Sequence, residues 1–481
     1  MKENSVISLG LTFDDVLLIP RYSGLKPEDA VITETNLCRG IKLKIPFISA
    51  AMDTVTGSNM AIVMARNGGI GIIHRNSSVG EQCKQVIHVK RHQSNMVTNP
   101  MTLTVDARLK DAIEIYKEFG FATIPIVDTE KKLLGLITER HLDDFNDPEL
   151  FLTKIMVPFD QLVLAFKDTD LESASTILIK EGKKRLPIVV SKDDRTLVGI
   201  YFKKDIKNKE NYPNMAIDKK GRLIVGAAIG VGSEGFDRAK ALISAGVDVL
   251  CIDTAQGDSM GVVDILIKLK KEFPKTPIIA GNVVSKDAAM HLINNGADAI
   301  KVGVGPGAIC TTREMTGNGM PQFSAILEVS KATRSRNIPL IADGGIKTPG
   351  DVAKALAAGA NSVMMGSVFS GTDEAPGDIL EQGSVKYKVY RGMGSKEAMQ
   401  SGGGIANDRY LNSKLVKKIP EGISGLVAYK GTVQDVLDTY LGALVQSMRV
   451  YQGANNLDSL RNNAEFVQQT QLGQIESRTR I

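Results

Sequence analysis

The chain has 481 residues, 43% of them hydrophobic, with 59 Lys and Arg against 54 Asp and Glu for a net charge of +5. That balance fits a globular protein of two or three domains with a sizeable core, and the small basic excess forms none of the runs or patches that nucleic-acid binders carry. Its apolar runs fall far short of the roughly 20 residues that span a bilayer, and the opening MKENSVISLGLTFDDVLLIP has Asp14 and Asp15 inside its apolar patch and no basic leader, so a cytoplasmic protein without membrane or nucleic-acid partners is expected.

Eight short apolar runs follow in chain order: IPFISAAMD, GGIGIIHRN, LIVGAAIG, VDVLCIDTAQG, TPIIAGNV, ADAIKVGVGPG, IPLIADGG and NSVMMGS. Most are continuous rather than alternating, as parallel strands covered on both faces are. Helical stretches such as SEGFDRAKALISAG, SKDAAMHLINNG and TPGDVAKALAAG lie between them. Eight strands alternating with helices indicate an α/β fold, a (β/α)8 TIM barrel. A doubly wound open sheet is the structural alternative.

The alternation breaks once, for about 145 residues after GIIHRN, far beyond an ordinary connection. Inside the break a plan occurs twice: a Met-Val start, an amphipathic helix, an Ile-Pro-Ile-Val or Leu-Pro-Ile-Val-Val strand, then Leu-Gly-Leu-Ile or Val-Gly-Ile-Tyr, with Pro125 and Pro187 62 residues apart. This repeat is similar to a tandem pair of CBS (Bateman) modules, a likeness that implies regulation by adenine or guanine nucleotides. The expected division is therefore 1–90 for the first part of the barrel, 91–208 for the inserted pair and 209–481 for the rest of the barrel. After the last strand comes a long polar, glycine-rich stretch, at about 385–430. Its composition also fits a disordered linker; its place after a barrel strand points to a mobile lid over an active site.

Reactive groups of such barrels gather at the C-terminal ends of the strands. Those ends carry Met52, Asp253, Asn282, the loop Gly303–Cys310, Asp343 with Gly344 and Gly345, and Gly366 with Ser367. The last two loops follow strands seven and eight, where glycine N–H groups commonly hold a phosphate, although tight turns alone would explain the glycines. Asp343 beside them is a ribose acceptor or a helix N-cap, two roles that can coexist. Of the four cysteines, Cys38, Cys83 and Cys251 read as small buried hydrophobes. Cys310 stands apart, behind Gly305, Pro306 and Gly307 and ahead of Thr311, Thr312 and the cation Arg313, a setting that favours a nucleophilic thiolate. No CxxC pair or paired histidines supply a zinc site.

The segments LTFDDVLLIP, ISAAMDTVT, GGIGIIHRN, GVGPGAICTTR, PLIADGGI, YRGMGS, DRY and PEGISG resemble, in order, those of the IMP dehydrogenase/GMP reductase family, over nearly the whole chain. The resemblance implies an NAD-dependent oxidoreductase that converts IMP to XMP in guanine nucleotide biosynthesis, through a covalent Cys310 thioimidate. It implies catalytic roles for Cys310, Thr312, Arg409, Tyr410 and Glu421. The substrate would meet Met52, Asp343, Gly344, Gly345, Gly366, Ser367, Tyr390, Gly392, Met393, Gly394 and Glu421, and NAD+ would meet Asp253, Thr254, Asn282, Gly303 and Gly305. The carbonyls of Gly305, Gly307 and Cys310 would hold K+, and the assembly would be a homotetramer or an octamer. Read alone, Arg409 is an ordinary solvated arginine; only the resemblance makes it a base. Ala308 departs from the family's serine and removes a hydroxyl that would contact phosphate. The alternatives are a GMP reductase, reducing GMP to IMP with NADPH, and a catalytically silent nucleotide sensor.

Overall fold

Eight parallel strands close on themselves in the order of the chain: β1 (Phe47–Ser49), β2 (Ile70–Ile73), β3 (Gly226–Ile229), β4 (Val249–Ile252), β5 (Ile278–Val283), β6 (Ala299–Val302), β7 (Leu340–Asp343) and β8 (Ser362–Met365), with β8 pairing back onto β1. The computed structural model describes residues 7–92, 96–97, 100–203, 211–400, 419–477 and 479. A helix follows each strand: α1 (Ser58–Arg66), α2 (Val79–His92), α3 (Gly232–Ala245), α4 (Met260–Glu272), α5 (Lys286–Asn294), α6 (Gln322–Arg336), α7 (Pro349–Ala358) and α8 (Val433–Gln446). The closed (β/α)8 barrel sets aside the open-sheet alternative. No helix among the described residues is long and apolar enough to cross a membrane.

The continuous apolar runs become strands because every residue of a barrel strand is covered, inside by the barrel core and outside by the helices. Ile48, Ile70, Ile72, Ala228, Val249, Cys251, Ile279, Ala299, Ile341 and Met364 belong to one buried cluster, and Cys251 is the small core residue its setting predicts. The helices start where local chemistry satisfies their free N–H groups. Ser285 accepts from the Ala288 N–H at the head of α5, and Thr348 and Asp351 form a capping box ahead of Pro349 on α7.

The chain separates into two units, one of residues 1–90, 214–216 and 223–481, the other of residues 91–213 and 217–222. The second unit begins at Arg91 and runs past 208, to Pro213, with 217–222 added. Its two halves share a sheet plan. In the first, Leu103–Thr104 pairs parallel with Ile124–Val127, which pairs antiparallel with Leu133–Ile137. In the second, Ala165–Phe166, Arg185–Val189 and Leu197–Phe202 repeat that order. Both hairpins slip register at the same place, between Ile126 and Val127 and between Ile188 and Val189.

The halves also exchange their opening segments. Val97, from the first Met-Val, bridges to Ile200 in the second half, while Val157, from the second, pairs with Leu136 in the first. Each seat is a glycine, because a Cβ on Gly135 would lie 2.5 Å from the Met156 sulfur and one on Gly199 would lie 2.7 Å from the Val97 carbonyl.

The stretch after β8 holds more regular structure than its composition predicts. Leu380–Gln382 (β9), Val385–Arg391 (β10) and Ser424–Ala428 (β11) form an antiparallel sheet. Its base is tied down by cations. Lys388, 3% exposed, donates to the carbonyls of Thr372 at 3.0 Å and Ala375 at 2.5 Å, and Arg391 grips the Asp53 carboxylate at 2.6–3.1 Å. Arg409 and Tyr410 lie outside the described residues.

Candidate functional site

The C-terminal mouth of the barrel encloses about 140 Å³. That is below the ~300–1,000 Å³ of ordinary small-molecule sites, so a nucleotide would place one ring system inside and extend across the loops. The walls bring together most residues picked out in the sequence: Met52 after β1; Asp253 and Thr254 after β4; Asn282 on β5; Gly303, Gly305, Gly307, Cys310 and Thr312 after β6; Asp343 and Gly344 at β7; and Tyr390, Gly392, Met393, Gly394 and Glu421 beside the β9–β11 sheet. Gly345, Gly366 and Ser367 stand at the same mouth but do not line the enclosed volume. Gly366 backs it directly, since a Cβ there would sit 2.9 Å from the Tyr390 hydroxyl.

The loop after β6 is shaped by its glycines and by Arg313. Gly305 has φ +79°, and a Cβ on it would come within 2.5 Å of the Arg313 side chain. Arg313 donates to the carbonyls of Val304 at 3.2 Å and Met320 at 2.5 Å. Its hydrogen bonds brace the loop, while its charge stays near Cys310 and interacts with it through space. Burial pushes the Arg313 pKa down, with the Cys310 charge opposing that shift.

Cys310 is held against the PEGISG segment. The Thr311 N–H donates to the Glu421 carbonyl at 3.1 Å, the Ile423 N–H to the Ile309 carbonyl at 3.0 Å, and the Glu421 N–H to the Gly394 carbonyl at 3.0 Å. That pairing carries Glu421 to a residue 109 positions away. The Cys310 thiol donates to Thr312 Oγ1 at 3.2 Å, and the Thr312 hydroxyl donates to Glu421 Oε2 at 2.7 Å. A thiol, a hydroxyl and a carboxylate thus lie in one directed line. Tyr390, 5% exposed, approaches the Met52 sulfur at 3.9 Å, and burial, reinforced by the Asp343 and Cys310 charges, raises its pKa so that it stays a neutral phenol.

The floor is a polar group that the sequence only partly announced. Lys301, on β6 and 2% exposed, donates to Asn282 Oδ1 and to Asp343 Oδ2, the latter at 2.6 Å, and stands 3.9 Å from Asp253 Oδ1. Asn282 donates in turn to Asp343 Oδ2 at 3.0 Å and to the Gly303 carbonyl at 2.7 Å. The signal for Lys301 was visible as the one charge inside the strand Ala299–Val302, AIKV. Asp343 is not an N-cap, because Thr348 holds that position on α7. Ala308 is exposed in the loop and brings no hydroxyl to it.

A thiol, a hydroxyl and a carboxylate in one line above a polar floor, at the C-terminal mouth of a (β/α)8 barrel, stand where barrel enzymes keep their active sites. The family model that matches, over residues 10–480, is the IMP dehydrogenase / GMP reductase domain, and the chain belongs to that family. It is 46% identical over 477 residues to inosine-5'-monophosphate dehydrogenase of Aquifex aeolicus, covering 98% of this chain and 95% of the relative. It is 44% identical over 479 residues to that of Bacillus subtilis, covering 99% and 96%. Among solved structures it is similar to a GMP reductase of Trypanosoma brucei in complex with guanosine 5'-monophosphate, with a TM-score of 0.89 and 37% identity over 100% of this chain and 99% of that one.

Proposed function

We infer that this chain oxidises IMP to XMP, with NAD+ as hydride acceptor and Cys310 as nucleophile. The observation that carries the reading is the directed line from the Cys310 thiol through Thr312 to Glu421. Addition of the thiolate to C2 of the hypoxanthine ring makes a tetrahedral adduct. Bound NAD+ accepts the C2 hydrogen as hydride, which leaves a thioimidate on Cys310. Water then attacks the thioimidate carbon, its proton leaving along Thr312 and Glu421, and Cys310 departs from XMP. The sum is IMP, NAD+ and water giving XMP, NADH and a proton. Splitting the oxidation this way exchanges one difficult step for two accessible ones.

The remaining roles follow. Asp343 accepts from the IMP ribose, the glycine turns at 344–345 and 366 with Ser367 take the phosphate, and Met52, Tyr390 and the Gly392–Gly394 stretch flank the base. Asp253, Thr254, Asn282, Gly303 and Gly305 serve NAD+. Arg409 and Tyr410 join water activation by resemblance to the family. The carbonyls of Gly305, Gly307 and Cys310 suit K+, since a hard monovalent cation takes neutral oxygens and no group of three or more His, Cys, Asp or Glu among the described residues offers a divalent metal a cage. The Gly307 carbonyl accepts from the Cys310 N–H at 3.1 Å and keeps a second lone pair for the ion.

The inserted pair is a nucleotide-sensing CBS module. Its cavity of about 500 Å³ combines the cations Arg91, Lys184 and Arg185 with the aromatic rings of Tyr116, Phe121 and Phe202, a set matched to the phosphates and base of an adenine or guanine nucleotide. Burial lowers the pKa of Arg91 and of Arg185, so both gain from an anion. The assembly is a homotetramer that nucleotide binding can join into octamers.

The likeness to a GMP reductase favours one other reading, reductive deamination of GMP with NADPH. NADH formation from IMP and NAD+, set beside NADPH loss with GMP, separates the two. Turnover in the second assay alone overturns the proposed function. Trapping of the wild type but not of C310A by an electrophilic IMP analogue dismisses a silent sensor.

A further inference from the structure

We propose that Lys301 is the positioning residue that joins the substrate side of the site to the dinucleotide side, so that each nucleotide's affinity depends on the same ammonium group. The proposal rests on the assignment of Asp343 to IMP and of Asp253 and Asn282 to NAD+. Four consecutive strand ends, β4 to β7, each send one side chain to this group, and Lys301 is the member that reaches the other three. An ammonium has three N–H donors and no acceptor. Here one is given to Asn282 Oδ1 and one to Asp343 Oδ2, and Asp253 Oδ1 stands 3.9 Å from the ammonium nitrogen.

The acceptors are arranged to face two ways. Lys301 and Asn282 converge on the same oxygen of Asp343, Oδ2, at 2.6 and 3.0 Å. That fixes the plane of the carboxylate and leaves Oδ1 to accept from a ribose hydroxyl. Asn282 is oriented because its carbonyl oxygen is held by the ammonium while its amide serves Gly303 and Asp343. A buried ammonium at 2% exposure is tolerable only while such partners persist. A hydroxyl arriving at either carboxylate changes the field that the shared cation feels from the other, and binding free energies linked in this way change by the same factor in both directions.

The test is a set of steady-state and equilibrium constants on the full-length enzyme. In Lys301→Met, which keeps the volume and removes the charge, the dissociation constant of IMP without dinucleotide and the KM for NAD+ should both rise, each by about tenfold. The fall in kcat should be smaller than either rise, and Lys301→Arg should recover most of both. Lys90→Met removes another buried lysine of the same barrel and should lower stability with both constants unchanged. Loss of stability in Lys301→Met with neither constant moved, or with only one moved, overturns the proposal. Should Lys301→Met fail to fold, Lys301→Gln, which keeps a polar head in the barrel, is read against the same two constants. Wild-type enzyme that does not oxidise IMP rejects the functional assignment instead, and the two failures are told apart before any variant is made.

Discussion

The two ends of the barrel both bury lysine–aspartate pairs, yet they use them differently. At the N-terminal end, Lys90 on α2 meets Asp248 just ahead of β4, and Lys270 on α4 meets Asp298 just ahead of β6. Each of these aspartates accepts the N–H at the head of the neighbouring strand, Val225 and Ile278, at 2.9 and 2.8 Å. Each lysine turns another donor to a backbone carbonyl, Leu223 or Thr276. The charges are consumed by the chain itself, and the pairs stitch helix to strand. At the C-terminal end, Lys301 spends its donors on side chains, and those side chains line a cavity. A buried charge whose partners are backbone is a fastening; one whose partners are other functional side chains is part of a site.

Under the proposed function, removing the Cys310 thiol is the severest break at the C-terminal end. Cys310→Ala should lower kcat by about 10⁴-fold or more with the unfolding midpoint unmoved, as checked by NADH formation and by thermal denaturation. Next comes the relay: Thr312→Val or Glu421→Gln should cost ~10²–10⁴-fold in turnover. Under the proposed function, in which Thr312 and Glu421 serve hydrolysis, the first burst of NADH should be better preserved than the steady state, which rapid mixing resolves. At the opposite end, Asp248→Ala strands the Lys90 ammonium and should cost about 3–5 kcal/mol of stability, measured by denaturant unfolding, without changing KM for IMP.

A smaller effect comes from His74, after β2. Burial lowers its pKa, so the folded protein holds it neutral. As pH falls below the unfolded value of ~6.5 the unfolded chain gains a proton that the folded chain refuses. Stability is therefore intact above that pH and declines on acidification toward the depressed folded pKa, with a slope of at most about 1.4 kcal/mol per pH unit from this group. His74→Asn should flatten that part of the stability–pH curve. Smallest of all, Glu465→Gln removes the exposed partner of Arg21 and should change stability by ~1 kcal/mol or less.

Much of the barrel was legible because strands covered on both faces must be apolar along their whole length, which makes IPFISAAMD or TPIIAGNV recognisable without context. Cys310 stood out by its neighbours, whereas Thr312 read by itself was only a polar neighbour of the thiol. Glu421 was not legible, because nothing in local spacing reveals that the PEGISG segment pairs with a loop 109 residues earlier; only likeness to a family supplied it. Arg313 was half legible for a related reason. Adjacency in sequence offered it only as a nearby cation, and its second task, bracing the loop through the Val304 and Met320 carbonyls, needed the folded geometry. Lys301 was passed over because a single lysine in an apolar run reads as an interruption until the closed barrel shows three polar groups waiting for it. The glycine-rich stretch after β8 misled in the other direction. Its composition hid the alternation of β10 and β11, which a short antiparallel sheet needs but a mostly exposed one displays only faintly.

The traded Met-Val segments of the tandem repeat have a consequence for inheritance. A gene duplication that leaves two copies side by side can later shed one, provided each copy folds alone. Here Gly135 is roofed by Met156 and Gly199 by Met96, and Leu133 and Leu197 reach across to the carbonyls of Arg195 and Lys131. Neither copy owns a complete sheet, so losing one strips the other of an edge. The pair can be gained or lost only whole, and the mutations tolerated at either glycine are set by a methionine encoded in the opposite copy.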